Sequence, residues 1–147
     1  YSEQIASLTY TKVNSFSSGE NYVITLYSGS KYYALSHAGN KLSAVQITVS
    51  GSEITSEITE DLVWNYSGSK LSYKSGNTTY YLYAQPSNSW WGWWNTPTLT
   101  ISSRNSTEVS FSSNKLKMGS YYLRYSSSAI SLSRSGSTAG LFAETAK

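Results

Sequence analysis

The sequence predicts an all-β fold built from three similar units of four short strands each. Short runs that alternate apolar and polar residues dominate, bounded by Gly, Ser and Asn, and no helical period of useful length appears. A Tyr-Tyr pair followed by an apolar residue recurs at 31–35, 79–83 and 120–124. Because repeats of this kind indicate one supersecondary unit copied along the chain, we predict a pseudo-threefold barrel of twelve strands with little helix.

Each unit is expected to contain a run before the Tyr-Tyr pair, the pair itself, a third run and a closing run with an aromatic residue. The first runs are VITLYSGS, KLSYKSGNT and KLKMGS, the third runs start near Leu42, Leu99 and Ile130, and the closing aromatics are Trp64, Phe111 and Phe142. One such unit cannot bury its own apolar face, whereas three units around an axis can. We therefore predict that the three closing aromatics meet at that axis; if they do not, a two-sheet sandwich is the alternative fold. Each Tyr-Tyr pair should place one ring inward and one outward.

Composition narrows the class of protein. The chain has 147 residues, enough for one domain, with 13% charged residues, 14 Tyr and 5 Trp. The absence of cysteine excludes a disulfide framework and a thiolate metal site. The net charge of +3 is spread without a basic block, so we expect no nucleic-acid partner. No apolar run is long enough for a membrane span. We expect a single module, 1–147, of a larger secreted or cell-surface bacterial protein.

Two insertions interrupt the repeat. From the second Tyr of each pair to the third run there are 9 residues in unit one (33 to 42) and 8 in unit three (122 to 130), but 18 in unit two (81 to 99). The surplus in unit two is a tryptophan-rich loop. Unit one has its own surplus, ITVSGSEITSEITED, which predicts a hairpin turning at Gly51-Ser52. Because the other units lack these segments, the barrel does not need them, and functional residues concentrate on such loops.

The tryptophan loop is the predicted binding site. Its candidate residues are Trp90, Trp91, Trp93, Trp94, Asn88, Asn95 and Gln85. The face of a pyranose ring lies flat on an indole, while its hydroxyls take side-chain amides. Gly92 lets the chain bend so that neighbouring rings need not stack on one another. These residue types therefore indicate carbohydrate binding. An alternative is that some of the rings plug the open end of the barrel.

Catalysis has little support in the sequence. The single histidine, His37, is expected at a solvated turn, with no motif that marks a catalytic partner. Glu53, Glu57, Glu60 and Asp61 cluster in the unit-one insertion, where a solvated face explains them as well as a glycosidase or calcium site does. We expect neither catalytic residues nor a metal or cofactor.

The repeat resembles the β-trefoil superfamily over nearly all of the chain, in particular the ricin-B-like carbohydrate-binding modules. The Gln-X-Trp signature of that family is absent, since the nearest positions read Val63-Trp64-Asn65, Ser110-Phe111-Ser112 and Leu141-Phe142-Ala143. The sugar sites of the family are therefore not carried over. The adjacent tryptophans with flanking amides resemble the aromatic platforms of starch-binding modules on gut-bacterial surface proteins, and this resemblance implies starch or another α-glucan as ligand.

Two other functions remain open at this point. A protein-binding adhesin or scaffold module could use the same tryptophans as an interface hot spot. A hydrolase would need a pair of carboxylates at the tryptophan loop, and none lies within it. The preferred expectation is a monomeric, non-catalytic module that binds a polysaccharide or oligosaccharide.

Overall fold

A computed structural model describes residues 8–86 and 96–146. The described strands are β1 (Leu8–Val13), β2 (Asn21–Ser28), β3 (Lys31–Ser36), β4 (Ser43–Ile47), β5 (Val49–Ser50), β6 (Glu53–Ile54), β7 (Trp64–Ser67), β8 (Lys70–Ser75), β9 (Thr78–Gln85), β10 (Thr98–Ser102), β11 (Val109–Ser112), β12 (Lys115–Met118), β13 (Tyr121–Ser126), β14 (Ala129–Ser133) and β15 (Thr138–Ala146). Short 3-10 turns lie at Ala38–Asn40 and Glu60–Leu62, and no α-helix occurs within the described ranges. The prediction of an all-β fold is confirmed. In the same part of the chain, no helix is long and apolar enough to cross a membrane.

All the pairs among the described strands are antiparallel, and these strands form two sheets. The larger sheet has the order β10-β9-β8-β7-β2-β15-β1-β6-β5, with β3 paired to β2 and β4 paired to β3. The smaller sheet has the order β11-β12-β13-β14. Every run assigned to a strand from the sequence contributes to one of these strands, whereas β1 was not anticipated. β1 pairs along its length with β15, so the two ends of the described chain lie side by side.

The core is divided between the two faces of the larger sheet. Along β2, Tyr22, Ile24 and Leu26 point into the main apolar cluster, which we call the inner face. Val23, one position out of phase, packs in a smaller cluster with Phe142 on the opposite, outer face. This division follows from the alternation of side chains along a strand. Because both faces are buried at this point, β2 reads as a nearly continuous apolar run.

The predicted meeting of three aromatics at one axis is wrong for Phe142. Trp64 is fully buried in the main cluster, and Phe111 is half-buried against the same cluster. Phe142 packs on the outer face, and its neighbour Leu141 takes the inward position instead. A one-residue difference in phase moves a side chain to the other face of the sheet. In β15 the residue that takes the inward position of the repeat is therefore Leu141, and not the aromatic Phe142.

The unit-one insertion forms the predicted hairpin and covers part of the outer face. Residues Val49 and Ser50 pair with Ile54 and Glu53 around a turn in which Gly51 has a φ of +62°. Glycine adopts that left-handed conformation without strain. Ile54 joins the outer-face cluster, so the hairpin shields the sheet there. The hairpin does not cover the outer face of β7, β8 and β9, where polar side chains replace apolar ones.

Candidate functional site

A groove crosses the uncovered part of the outer face. Its floor is the outer face of β7, β8 and β9, and one wall is the end of the unit-one insertion, from Ile58 to Asp61. The cavity volume is about 1080 Å³. We call it the outer groove. Because pockets for drug-sized ligands measure roughly 300–1,000 Å³, this groove is large enough for a ligand longer than one ring.

A row of polar and aromatic side chains spans the floor of the outer groove. Neighbouring strands place Asn21 opposite Asn65, Asn65 opposite Ser72, and Ser72 opposite Tyr81. Directly paired residues project from the same face of a sheet. At a strand spacing near 4.8 Å, the row from β2 to β9 is about 14 Å long. The floor therefore alternates amides, a hydroxyl and a phenol ring across four strands.

Hydrogen bonds fix one end of this row. The Tyr10 hydroxyl donates to Glu144 Oε2 (2.8 Å), Asn21 Nδ2 donates to Glu144 Oε1 (3.0 Å), and Asn65 Nδ2 donates to Asn21 Oδ1 (3.0 Å). Burial, followed by the hydrogen bond and the charge of Glu144, raises the pKa of Tyr10, so its hydroxyl remains a donor. Each amide has two donors and two acceptor lone pairs. The two asparagines are thus held in place with hydrogen-bonding capacity left for a ligand.

Strand β9 connects the outer groove to the tryptophan loop. By strand alternation Tyr81, Tyr83 and Gln85 share its outer face, while Leu82 is fully buried on the inner face. Successive residues on one face are about 6.8 Å apart, so the two phenol rings follow each other toward the end of the strand. Gln85 is exposed and pairs with Thr98 at the base of the loop. The outer face of β9 therefore leads from the groove to the inserted loop.

Only one of the seven residues predicted for the binding site lies within the described chain. Gln85 is exposed at the loop base, as a binding residue requires. The others, Asn88, Trp90, Trp91, Trp93, Trp94 and Asn95, lie outside the described residues. Their role in binding stays a prediction.

Residues Asn21, Asn65, Ser72 and Tyr81 were missed as site residues. The sequence signal for Tyr81 was present, because alternation in TYYLY turns the second tyrosine outward. Asn65 stood out only as part of an Asn-X-Ser sequon. Nothing in the local sequence of Asn21 or Ser72 shows that the sheet brings them together. Their alignment depends on strand register, which a single sequence does not specify.

The prediction that His37 is a solvated turn histidine is wrong. His37 is only 7% exposed, and its ring stacks on Tyr73 with centroids 3.6 Å apart and planes at 6°. It also meets Trp64 edge-on at 4.8 Å, and its Nε2 lies 2.9 Å from the Val63 carbonyl oxygen. The flanking residues do form a turn, but the ring is buried against Trp64 and Tyr73 at the edge of the outer groove. His37 is thus a buried packing residue with a backbone hydrogen-bond partner.

The acidic residues of the insertion are solvated. Glu53, Glu57, Glu60 and Asp61 are all exposed. Among the residues that the structure describes, no group of three His, Cys, Asp or Glu side chains could hold a metal ion. Lys70 and Lys74 also line the outer groove, so its charges are mixed. Such a lining does not select a strongly charged ligand.

Scans against models of known protein families, curated proteins and solved structures found no match. The assignment of function therefore depends on the residues of the site.

The buried tyrosines predict a loss of stability at alkaline pH. Burial, together with the charge of Tyr80, raises the pKa of Tyr73 to about 12 from a value of 10 in the unfolded chain. Because the pKa of Tyr73 is higher in the folded chain than in the unfolded chain, its neutral hydroxyl contributes to the free energy of unfolding. This contribution is fully present below pH 10 and is lost as pH rises toward about 12. Two pKa units correspond to roughly 2–3 kcal/mol. Measured by urea denaturation, the free energy of unfolding of Tyr73→Phe should fall less between pH 10 and about pH 12 than that of the wild type.

Tyr27→Phe is the matched control for this measurement, because Tyr27 is 41% exposed. The free energy of unfolding of Tyr27→Phe should fall with pH as steeply as that of the wild type. An unchanged decline in Tyr73→Phe would contradict the assignment of alkaline sensitivity to the Tyr73 hydroxyl. The variant also loses the hydrogen bond that this hydroxyl donates to Asn40 Oδ1, which should lower stability at neutral pH by about 1 kcal/mol.

Proposed function

We propose that this chain is a non-catalytic carbohydrate-binding module that binds a neutral polysaccharide, with starch or another α-glucan as the first candidate. The observation that carries the proposal is the row of amides, hydroxyl and phenol on the floor of the outer groove, continued along β9 to the tryptophan loop. Aromatic rings provide stacking surfaces for sugar rings, and fixed amides provide donors and acceptors for their hydroxyls. The ligand is expected to contact both the sheet face and the loop.

The chemistry of the groove favours a sugar chain over other ligands. Its charges are of both signs, with Lys70 and Lys74 against Glu60, Asp61 and Glu144. A basic stripe for nucleic acid is not formed there. The asparagine pair is held by hydrogen bonds before any ligand arrives, and such preorganisation lowers the entropic cost of binding. A neutral, hydroxyl-rich ligand matches these properties best.

We propose further that the fold is a β-trefoil rather than a two-sheet sandwich, with Leu141 rather than Phe142 in the main cluster. In each unit the residue just before the first strand of the repeat accepts a backbone hydrogen bond from the closing strand of the same unit. Glu20 accepts from the Tyr66 N–H, Ser69 accepts from Val109, and Asn114 accepts from Ala139. The three bonds measure 2.9, 2.8 and 2.7 Å. The recurrence of a bond between the closing strand and the residue before the first strand in all three units supports pseudo-threefold symmetry, with β15 returning to pair with β2.

Replacing Tyr81 by alanine tests the groove. The ring is half-buried on the outer face, so its loss should leave the fold intact and weaken binding to the polysaccharide about tenfold, since an aromatic contact contributes about 0.5–1.5 kcal/mol beyond its buried area. A pull-down against a panel of insoluble polysaccharides would first identify the ligand. Titration calorimetry with a soluble fragment of it then gives the ratio of dissociation constants.

Tyr122→Ala is the matched control, because Tyr122 occupies the equivalent position in unit three but lies beneath Lys115 Nζ, 5.6 Å from the ring centroid. The affinity of Tyr122→Ala for the polysaccharide should stay within about twofold of that of the wild type. Equal affinities for wild type and Tyr81→Ala would exclude the groove from the site. If no polysaccharide on the panel is retained and a protein is bound through the same residues, the module is an adhesin instead.

A further inference from the structure

A second cavity lies at the far end of β2 from the outer groove. Asn21 lines the groove, whereas Tyr27, six residues further along the same face, lines this cavity. Six residues of extended strand span about 20 Å. Between the two sites, Val23 and Phe142 are buried with Ile54 of the inserted hairpin. The cavity, which we call the tyrosine pocket, is thus separate from the outer groove.

The tyrosine pocket has a polar floor and an aromatic wall. Its volume is about 240 Å³. At the floor, the Thr25 side chain is 1% exposed, and its hydroxyl donates to the Gly140 carbonyl at 3.3 Å. A Cβ on Gly140 would lie 2.8 Å from Thr25 Oγ1, so glycine allows the two strands to approach this closely at the floor. The rings of Tyr27 and Tyr32 form the wall, with centroids 4.9 Å apart at an angle of 58°.

The rim of the tyrosine pocket carries a positive charge. Lys12 lines the pocket with Asn114 and Thr138, and among the described lining residues it alone is charged. Its backbone is fixed, because the Lys12 N–H donates to the Ser52 carbonyl of the hairpin at 2.7 Å. The outer groove, by contrast, has charges of both signs. The two cavities should therefore prefer ligands of different charge.

We propose that the tyrosine pocket binds one acidic monosaccharide residue, of the uronic acid type. Its volume is below the roughly 300 Å³ at which pockets for drug-sized ligands begin, and therefore suits one sugar ring rather than a chain. The ring packs on Tyr27, and the Lys12 ammonium pairs with the carboxylate. The hydroxyl groups reach Asn114 and Thr138, which are exposed at the rim. This site is independent of the polysaccharide site proposed above and does not share its residues.

The test is a protein-observed NMR titration of the full chain with glucuronate, glucose and acetate at constant ionic strength. Glucuronate has both ring and charge, glucose only the ring and acetate only the charge. Glucuronate should shift the amide signals of Lys12, Tyr27 and Gly140 and bind about threefold or more tightly than either partial probe, the effect expected of one exposed charge pair. Lys12→Gln should lower the affinity for glucuronate to that for glucose.

Three further variants complete the design. Lys41→Gln removes an exposed positive charge outside the pocket and should leave binding unchanged. Tyr27→Ala should weaken glucuronate binding about tenfold, and Tyr27→Phe, which keeps the ring, should stay within about twofold. These variants show whether binding depends on the charge and the ring at this place.

Any one of these results would overturn the proposal: no shifts at the pocket, equal affinity for glucose, equal affinity for acetate, or affinity unaffected by both Lys12→Gln and Tyr27→Ala. Tyr81→Ala, in the outer groove, should leave glucuronate binding unchanged. If Tyr81→Ala abolishes it, the acidic sugar occupies the groove and the tyrosine pocket is not its site. If the chain binds glucuronate but no polysaccharide, only the proposed polysaccharide binding is contradicted, and the tyrosine pocket remains the site for the acidic sugar.

Discussion

Trp64→Ala is expected to lower the free energy of unfolding by about 4 kcal/mol, the largest effect of any single substitution considered. Trp64 is fully buried in the main cluster, and removal of a buried tryptophan side chain leaves a cavity that costs roughly 3–5 kcal/mol. Its Nε1 also donates to the Leu35 carbonyl at 3.1 Å, and that buried acceptor would lose its partner. Urea denaturation at neutral pH measures the change.

Val45→Ala provides the control, because Val45 is 42% exposed and its truncation should change stability by less than about 0.5 kcal/mol. A cost below about 1 kcal/mol for Trp64→Ala would contradict the assignment of Trp64 to the core. The Trp64→Ala substitution also removes the edge contact that the indole makes with the stacked rings of His37 and Tyr73.

Replacing the loop tryptophans Trp90, Trp91, Trp93 and Trp94 together by alanine is expected to abolish polysaccharide binding while the fold is retained. The wild-type dissociation constant should lie on the order of 10 μM to 1 mM, and the loss of stacking should raise it by at least about tenfold. The same residue type thus has opposite expected roles at Trp64 and in the loop, because the other two units have no counterpart of the loop. Calorimetry and a thermal melt separate the two effects.

Thr96→Ala, an exposed position at the loop base, should leave both affinity and stability unchanged. Wild-type binding should vary little between dilute buffer and physiological salt, since stacking depends on ring faces more than on charge. If the variant with all four loop tryptophans replaced by alanine unfolds, the loop is a structural plug. If it keeps full affinity, the site lies elsewhere.

The fold class followed from the sequence because strand alternation and the repeated Tyr-Tyr pairs are local patterns. The hairpin at Gly51 followed from comparing spacings between units. The direction of individual side chains did not follow in the same way. Leu141 and Phe142 are adjacent apolar residues, and only the register of β15 against β2 decides which of them faces the main cluster.

Of the predicted site residues, the structure describes only Gln85, which is exposed at the base of the insertion. The role of the tryptophan loop, inferred from the length of the insertion, stays a prediction. The outer groove was not predictable, because Asn21 and Asn65 lie 44 residues apart and meet only through the pairing of β2 with β7. His37 was misassigned for a related reason. Its sequence neighbours form a turn, while its ring is held by Tyr73 and Trp64 from other strands.

A neutral glycan is expected to bind along the outer face of β8 and β9 up to the tryptophan loop. The most direct measurement is a protein-observed NMR titration with a soluble α-glucan oligosaccharide, followed by fragments of whichever polysaccharide the panel retains. We expect saturable shifts at Ser72, Tyr81, Tyr83, Gln85 and the indole signals of the loop, with the smaller sheet β11–β14 unaffected. Glycan binding on this face is contradicted if no oligosaccharide shifts these signals, or if the shifts fall on the smaller sheet.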